Sequence, residues 1–444
     1  MKKTQKPLST GMNRRNFVKA SALGLAGLGG RLPAGQATAV AEKKGDIPKI
    51  KGYRTLGRTG FRVSDIGIGT SRLAVVPLMK AAFEAGVNYI DTAEGYGRGE
   101  AERSIGQAIQ GLDRKSLFIT TKIRLNEVNN AEQVIAKVHQ SLERLQTDYV
   151  DCMMIQGAAT VESLKNDHFH RAMEQLKKEK KVRFLGTANH GSRFQGQGET
   201  MEKVLLGAID DGRFDLVLLI YNFLQREAGE QILAAAAKKN IATTIMKSDP
   251  LGRYFETRER VEQMKKAGET PDENMTRNLA QMEEAAKQAE SFIKEHNLQN
   301  PAEIKQAALK FVLNDPRVHT LNLAFTTFAD LQNLLALSGT GLDAQGKKTL
   351  AEFEAGCGRL YCRHGCGACE QSCPYQVPVN TIMRYFNYFD IHGAERFAME
   401  KYARLDTPKA DLCRTCAGYC AGNCPYGVPI QGLLTFAHSR LALP

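Results

Sequence analysis

The chain has 444 residues, of which 43% are hydrophobic and 24% charged. That composition excludes an intrinsically disordered chain, and the length calls for two or three domains with substantial cores. The formal net charge is +12, yet seven basic residues and no acid precede Glu42, so the excess sits largely at the N-terminus. Without interleaved aromatic and basic residues it points to no nucleic-acid partner.

Residues 1–41 read as an export signal. A basic segment is followed by an apolar, glycine-rich run from Ala20 to Gly30, too short to span a bilayer, and then by a small-residue site at Ala39-Val40-Ala41. Arg14 and Arg15, followed by Asn16, Phe17, Val18 and Lys19, resemble the twin-arginine signal, an address read by a receptor. The resemblance implies the twin-arginine translocase as a partner and a periplasmic or exported location in a bacterium, with the leader either cleaved or kept as a membrane anchor. Proteins on that route cross already folded, which suits a chain that must assemble a cofactor before export. Residues 42–52 read as a linker.

From Tyr53 the Gly-rich alternation "YRTLGRTGFRVSD" predicts a hairpin capping one end of a core. Eight short apolar runs follow as strands: "DIGIGT", "NYIDT", "LFITTKI", "DYVDCMMI", "VRFLGT", "FDLVLLI", "IATTIM" and "HTLNLAF". Amphipathic stretches such as "AERSIGQAIQ", "AEQVIAKVHQSLERL", "MEKVLLGAIDDG" and "GEQILAAAAKKN" separate them and supply the crossover helices. The alternation predicts an α/β fold, a (β/α)8 TIM barrel over 53–340, with the active site at the C-terminal strand ends. A charged insertion from about Arg253 to Gln299 follows the seventh strand, as a solvated helical excursion or a substrate lid. "KKEKK" from Lys177 to Lys181 reads as a solvated helix end, and Cys152 as a buried strand residue.

"GVNYIDTAEGYGRGEAERSIG", together with "FITTKI" and "DYVDCMMIQ", resembles the aldo-keto reductases, and the similarity runs from about Tyr53 to Leu337. The resemblance implies a Tyr that gives a proton to a carbonyl oxygen while hydride arrives from a nicotinamide. It assigns that role to Tyr96, with Asp91 and Lys122 beside it. A phenol titrating at about 10 is a weak acid near neutrality, and a neighbouring ammonium eases loss of its proton. Asp91 would hold that ammonium in place.

The family's fourth catalytic position, usually His, is Gln156, whose amide can donate a hydrogen bond but cannot titrate. Ala188 and Asn189 stand where the family has Ser-Asn, and Leu218 where it has a Gln for the carboxamide. After the last strand, Thr326 and Thr327 are the candidate phosphate contacts for NADP(H), beside an unfavourable Asp330. His190 is a candidate to stand in for the missing His.

Nine of the ten cysteines lie from Cys357 onward, after a connecting helix over 341–356. Residues 357–444 contain a duplication in which each copy ends Cys-x-x-x-Cys-Pro-Tyr-x-Val-Pro. The first copy offers Cys362, Cys366, Cys369 and Cys373; the second offers Cys413, Cys416, Cys420 and Cys424. Thiolates so spaced before a Cys-Pro resemble the bacterial ferredoxin run, which implies a small, mainly helical ferredoxin-like domain holding two 4Fe-4S clusters. In that resemblance the fourth cysteine of each copy crosses over. Cys424 would then join Cys362, Cys366 and Cys369, and Cys373 would join Cys413, Cys416 and Cys420. Disulfides and zinc sites are the competing readings; Cys357 is a spare ligand, and His364 an alternative one or a loop residue.

Together these features imply an exported iron-sulfur oxidoreductase of aldo-keto reductase type acting on a small carbonyl, alcohol or sugar-like substrate. Its clusters would relay electrons from a membrane or periplasmic donor. The alternative is an electron-transfer or ligand-binding protein that keeps the barrel as a scaffold.

Overall fold

Tyr89 and Asp91, then Phe118, Thr120 and Lys122, then Cys152, Met154 and Gln156 are alternate residues of three consecutive strands, and alternate residues share a face. That alternation divides the core in two. Tyr89, Phe118, Cys152, Met154, Ala188, Leu216, Leu218 and Ala242 form one apolar cluster. Their strand neighbours Ile90, Ile119, Met153, Ile155, Val217, Leu219 and Ile245 belong to another, shared with the surrounding helices. A sheet buried on both faces and closed on itself produces this division.

The computed structural model describes residues 46–442 except 72–73, 127, 191–197, 250–269, 271–300, 359–360, 391–393 and 407. The leader and, apart from Thr270, the charged insertion lie outside the described residues. A hairpin of β1 (Tyr53–Thr55) and β2 (Arg62–Ser64) comes first. The barrel strands are β3 (Ile66–Gly69), β4 (Tyr89–Asp91), β5 (Phe118–Ile123), β6 (Val150–Gln156), β7 (Val182–Ala188), β8 (Leu216–Ile220), β9 (Ala242–Met246) and β10 (Thr320–Leu323). All neighbours pair in parallel, and β10 closes on β3. All eight sequence-predicted strands are present in their predicted places.

The hairpin plugs the end where the strands begin: Leu56 and Val63 join the interior cluster, and Arg58 N donates to Asn240 O at 2.7 Å. Gly57 allows this approach, since a Cβ there would lie 2.5 Å from Ala242 N and its φ is +47°. Cys152 is buried within β6, and Lys177 and Lys178 occupy the exposed last turn of helix Asp167–Lys178.

Helix Ala344–Cys357 leads out of the barrel and packs through Leu350 and Phe353 against Phe223, Leu224, Ile304 and Ala308. The tail then repeats one motif. A 3-10 turn, Glu370–Ser372, precedes Cys373-Pro-Tyr and helix Val379–Asp390; a second, Ala421–Asn423, precedes Cys424-Pro-Tyr and helix Ile430–Leu441. Helix Glu395–Ala403 lies between, and the three helices share a core with Val377, Ile382, Tyr402, Val428 and Leu434. No helix among the described residues is long and apolar enough to cross a membrane.

Candidate active site and cysteine rings

Asp91 ends β4 and Lys122 is the penultimate residue of β5, so the inward alternation delivers both to the C-terminal mouth of the barrel. Lys122 Nζ donates to Asp91 Oδ1 at 2.5 Å and to Thr92 O at 2.7 Å, and both side chains are buried. Tyr96 opens the short turn Tyr96–Gly99, and Lys122 Nζ lies 5.4 Å from the centroid of its ring. The three family-type residues therefore meet.

Their electrostatics differ from the simple expectation. Burial pushes the Tyr96 phenol up, with Asp91 and Tyr388 adding to the rise and Arg124 opposing it. The Lys122 ammonium is engaged by Asp91 and the Thr92 carbonyl. Tyr96 thus keeps its proton at neutral pH, the state required of a donor to a carbonyl oxygen. Asp91 is raised by burial against the opposing effect of Lys122, and its Oδ2 has no hydrogen-bond partner.

Gln156 ends β6, half-buried, with its Oε1 shielded and without a hydrogen-bond partner. Leu218 and Ala188 point into the interior cluster. Asn189 follows β7 and its Nδ2 donates to Ala158 O at 2.5 Å. Thr327 caps helix Phe328–Leu335: its hydroxyl accepts from Asp330 N at 3.0 Å, and Asp330 returns a bond to the cap backbone. Thr326 Oγ1 also bonds Asp330 Oδ2. Both threonine hydroxyls serve the cap. His190 is half-buried beside Asn189.

The mouth also holds residues from outside the family motif. Helix Val379–Asp390 of the tail brings Arg384, Asn387 and Tyr388, spaced i, i+3 and i+4 on one face. Lys247 follows β9, its Nζ 5.3 Å from the centroid of the Tyr388 ring. Nζ of Lys247, Nε of Arg384, Oδ1 of Asn387 and both amide atoms of Asn322 on β10 are shielded and without hydrogen-bond partners. Such a concentration of unmatched polar atoms marks a place where water or a ligand completes the bonding. The i, i+3, i+4 spacing was visible in sequence; the docking of that face on the barrel was not.

In the tail, Cys362, Cys366, Cys369 and Cys424 line one small hollow, and Cys373, Cys413, Cys416 and Cys420 line another. Each ring draws three cysteines from one copy and one from the other. The described cysteines form no disulfide. Val428 N donates to Cys424 Sγ and Gly418 N to Cys416 Sγ, each at 3.4 Å. Burial, with the neighbouring Glu370 and sulfurs adding to it, pushes the Cys369 thiol up to about 12; Cys413 reaches about 12 through burial and its ring partners. Among the described residues no three His, Cys, Asp or Glu side chains converge tightly enough to hold one metal ion. His364 is buried, 5.7 Å from the Tyr361 ring centroid, and is absent from the residues enclosing either hollow. The side chain of Cys357 lies outside the described residues.

The aldo/keto reductase family model matches residues 65–354, and the chain belongs to that family. Over 128 residues it is 34% identical to the methylglyoxal reductase DkgB of Salmonella typhi, covering 28% of this chain and 46% of that protein. It is 27% identical over 213 residues to the aldo-keto reductase YhdN of Bacillus subtilis, covering 44% of this chain and 60% of that protein. The chain thus spans about half the length of the curated relatives it matches. Among solved structures, an aldo/keto reductase from Klebsiella pneumoniae in complex with NADP and acetate is 19% identical, with 69% of this chain and 95% of that chain covered and a TM-score of 0.47. The holo form of an aldo-keto reductase from Bacillus halodurans is also 19% identical, with 69% and 96% covered and a TM-score of 0.48.

Proposed function

We propose that the chain is an exported iron-sulfur oxidoreductase of aldo-keto reductase type, acting on a small carbonyl, alcohol or sugar-like compound at the barrel mouth. The observation that carries this reading is that one helix, Val379–Asp390, joins two cysteine rings to that mouth. Val379 borders both hollows, while Tyr388 acts on the phenol of Tyr96. At about 1.5 Å per residue the two ends of that path lie on the order of 14 Å apart, short enough for direct electron transfer.

The rings fit four-iron clusters better than the competing readings. Disulfides are absent among the described cysteines. Four thiolates on one zinc ion at about 2.3 Å would converge closely, whereas these sulfurs surround hollows and converge on no single ion. Backbone N–H groups aimed at Cys416 and Cys424 match the sulfur hydrogen bonds that clusters require. Buried thiols that repel one another as anions need cationic metal to become thiolates. When bound, such clusters supply single-electron transfer.

In the barrel, Tyr96 holds a proton for the substrate oxygen, Lys122 and Asp91 form the buried pair beneath it, and Gln156 presents an unmatched amide oxygen across the mouth. This handling of the proton is the same whichever donor delivers the electrons. NADP(H), present with the Klebsiella relative, would meet Asn189, Thr326 and Thr327 here. Asn189 already donates to Ala158 O, and the threonines are held by Asp330. Those engagements favour the second reading, a barrel that binds or transfers electrons without hydride chemistry. The leader supports export by the twin-arginine translocase, with a periplasmic or membrane donor outside the cytoplasm.

Iron and sulfide analysis with EPR of anaerobically purified protein tests the clusters. Turnover of a carbonyl panel, with NADP(H) or with reduced clusters as donor, tests the reaction. Cluster signals with turnover lost in Tyr96→Phe support the oxidoreductase; intact clusters without NADP(H) binding or turnover support the scaffold, and a colourless or zinc-loaded protein overturns both.

A further inference from the structure

We propose that Lys247 and Arg384 clamp an anionic oxygen group, a carboxylate or phosphate, carried by the substrate beside its reacting carbonyl or alcohol. Arg384 is only 4% exposed, although it comes from the tail and ends at the barrel mouth. Its Nε is shielded and without a hydrogen-bond partner, and so is Nζ of Lys247. The two cations lie close enough for Arg384 to add to the effect of burial in making the Lys247 ammonium unfavourable.

Asp91, at the end of β4, and Glu94, on the way to Tyr96, already have partners. Asp91 holds Lys122 at 2.5 Å, and Glu94 accepts from Lys137 at 3.2 Å and from Arg124 N at 3.2 Å. No carboxylate among the described residues forms a salt bridge or hydrogen bond with Lys247 or Arg384. Burial and Arg384 disfavour the charged form of Lys247 until a counter-charge arrives, and an oxyanion between the two side chains both supplies that charge and favours the ammonium. Arg384 borders neither cysteine hollow, so its charge is not spent on a cluster.

The clamp is also placed for the chemistry. Tyr388 touches it through the 5.3 Å ammonium contact and acts electrostatically on Tyr96, the proposed proton donor. An acidic group held there leaves the adjoining carbonyl near Tyr96. Because one cation comes from the barrel and the other from the tail, the recognition site exists only when the two are docked. The proposal rests on the mouth being the reaction site.

Calorimetry on the purified full chain at low ionic strength tests it, comparing glyoxylate with glycolaldehyde and glyceraldehyde 3-phosphate with glyceraldehyde. At least one acidic member should bind about tenfold or more tightly than its neutral partner, as expected for charge-assisted hydrogen bonds; which pair shows the preference separates carboxylate from phosphate. Lys247→Gln and Arg384→Gln should each abolish the preference with unchanged circular dichroism, and Arg384→Lys should retain part of it. Equal binding within both pairs, no binding of either acidic probe, or a preference surviving both Gln variants overturns the clamp. Tyr96→Phe separates the two readings. Turnover insensitive to that change, with acidic preference intact, defeats the reaction assigned to the mouth and leaves the clamp; the converse leaves the reaction and defeats the clamp.

Discussion

Gln376 and Gly427 occupy the same turn in the two copies of the cysteine motif, with φ of +53° and +62°. In each, the residue's N–H returns to the carbonyl of the ring cysteine three positions earlier, at 3.0 Å from Gln376 to Cys373 and 3.1 Å from Gly427 to Cys424. Both positions are exposed, so the difference lies in the backbone. A side chain in the left-handed region costs about 1–2 kcal/mol, partly recovered because glycine loses more freedom on folding. Gln376→Gly should stabilise the tail by roughly 0.5–1 kcal/mol, and Gly427→Ala should destabilise it by about 1 kcal/mol. Denaturant titration followed by visible absorption of the holoprotein reads both.

The crossed rings predict a partition. Cys424→Ser should disturb the site shared with Cys362, Cys366 and Cys369, although Cys424 lies in the second copy. Cys373→Ser should disturb the other. On the proposal of one cluster per four-cysteine ring, each variant should retain roughly half of the iron, and the EPR signals lost should be complementary. Loss of the same signal in both variants would reject the partition.

The eight barrel strands were legible because each is a short apolar run between helical stretches, and the in-register family motif placed Asp91, Tyr96 and Lys122 together. The crossing of Cys373 and Cys424 followed from likeness to another domain; no local pattern contains it. Thr326 and Thr327 stand where the family motif suggests phosphate contacts, while "TTFAD" also carries a Thr-x-x-Asp capping signal, and in the structure both hydroxyls bond Asp330. Lys247 and Arg384 were invisible as a pair. They meet only when a tail helix docks on a strand end far away in sequence, and no periodicity within either segment encodes that contact.

His319 predicts an acid sensitivity of the barrel. Its Nδ1 accepts from Thr243 N at 3.0 Å, so the ring is neutral, and burial followed by the nearby Arg54 lowers its pKa from 6.5 to about 4. The folded state therefore binds fewer protons than the unfolded state between those values, and stability rises with pH across that window. The contribution is full above pH 6.5 and falls as pH drops towards 4, by at most about 3 kcal/mol. His319→Asn should flatten this part of the pH–stability curve, measured by urea midpoints from pH 4 to 7.

Lys122 and Asp91 predict opposite outcomes for single and double substitution. Lys122→Met strips the cation from a carboxylate that is only 5% exposed, and should cost about 3–5 kcal/mol while abolishing turnover. Asp91→Asn in the same chain removes the stranded charge and should recover most of the stability but none of the turnover. Tyr96→Phe should lose turnover with little change in stability. A double-mutant cycle on unfolding midpoints, run beside turnover assays, separates the structural role of the pair from its role under Tyr96.

Docking of the tail depends on Arg363, only 6% exposed and reaching back towards the barrel. Its Nε donates to Leu224 O at 3.0 Å, one N–H group donates to Tyr361 O at 2.6 Å and also to Gly358 O, and the guanidinium lies 4.3 Å from the Tyr426 ring centroid. Next to it, His364 N donates to Gln225 Oε1 at 3.1 Å, and Gln225 Nε2 donates to His364 O. Leu224 and Gln225 belong to the barrel loop after β8, so this cluster ties the first cysteine ring to the barrel. Arg363→Met leaves several buried carbonyls unmatched at about 1–3 kcal/mol each, and a lysine cannot reproduce a planar fork serving separate acceptors. Both variants should loosen the tail before the barrel: hydrogen exchange should rise across 379–390 and 430–441 while the barrel strands stay protected. If the two regions instead lose protection together, the tail and barrel unfold as one unit and Arg363 is not the hinge of their docking.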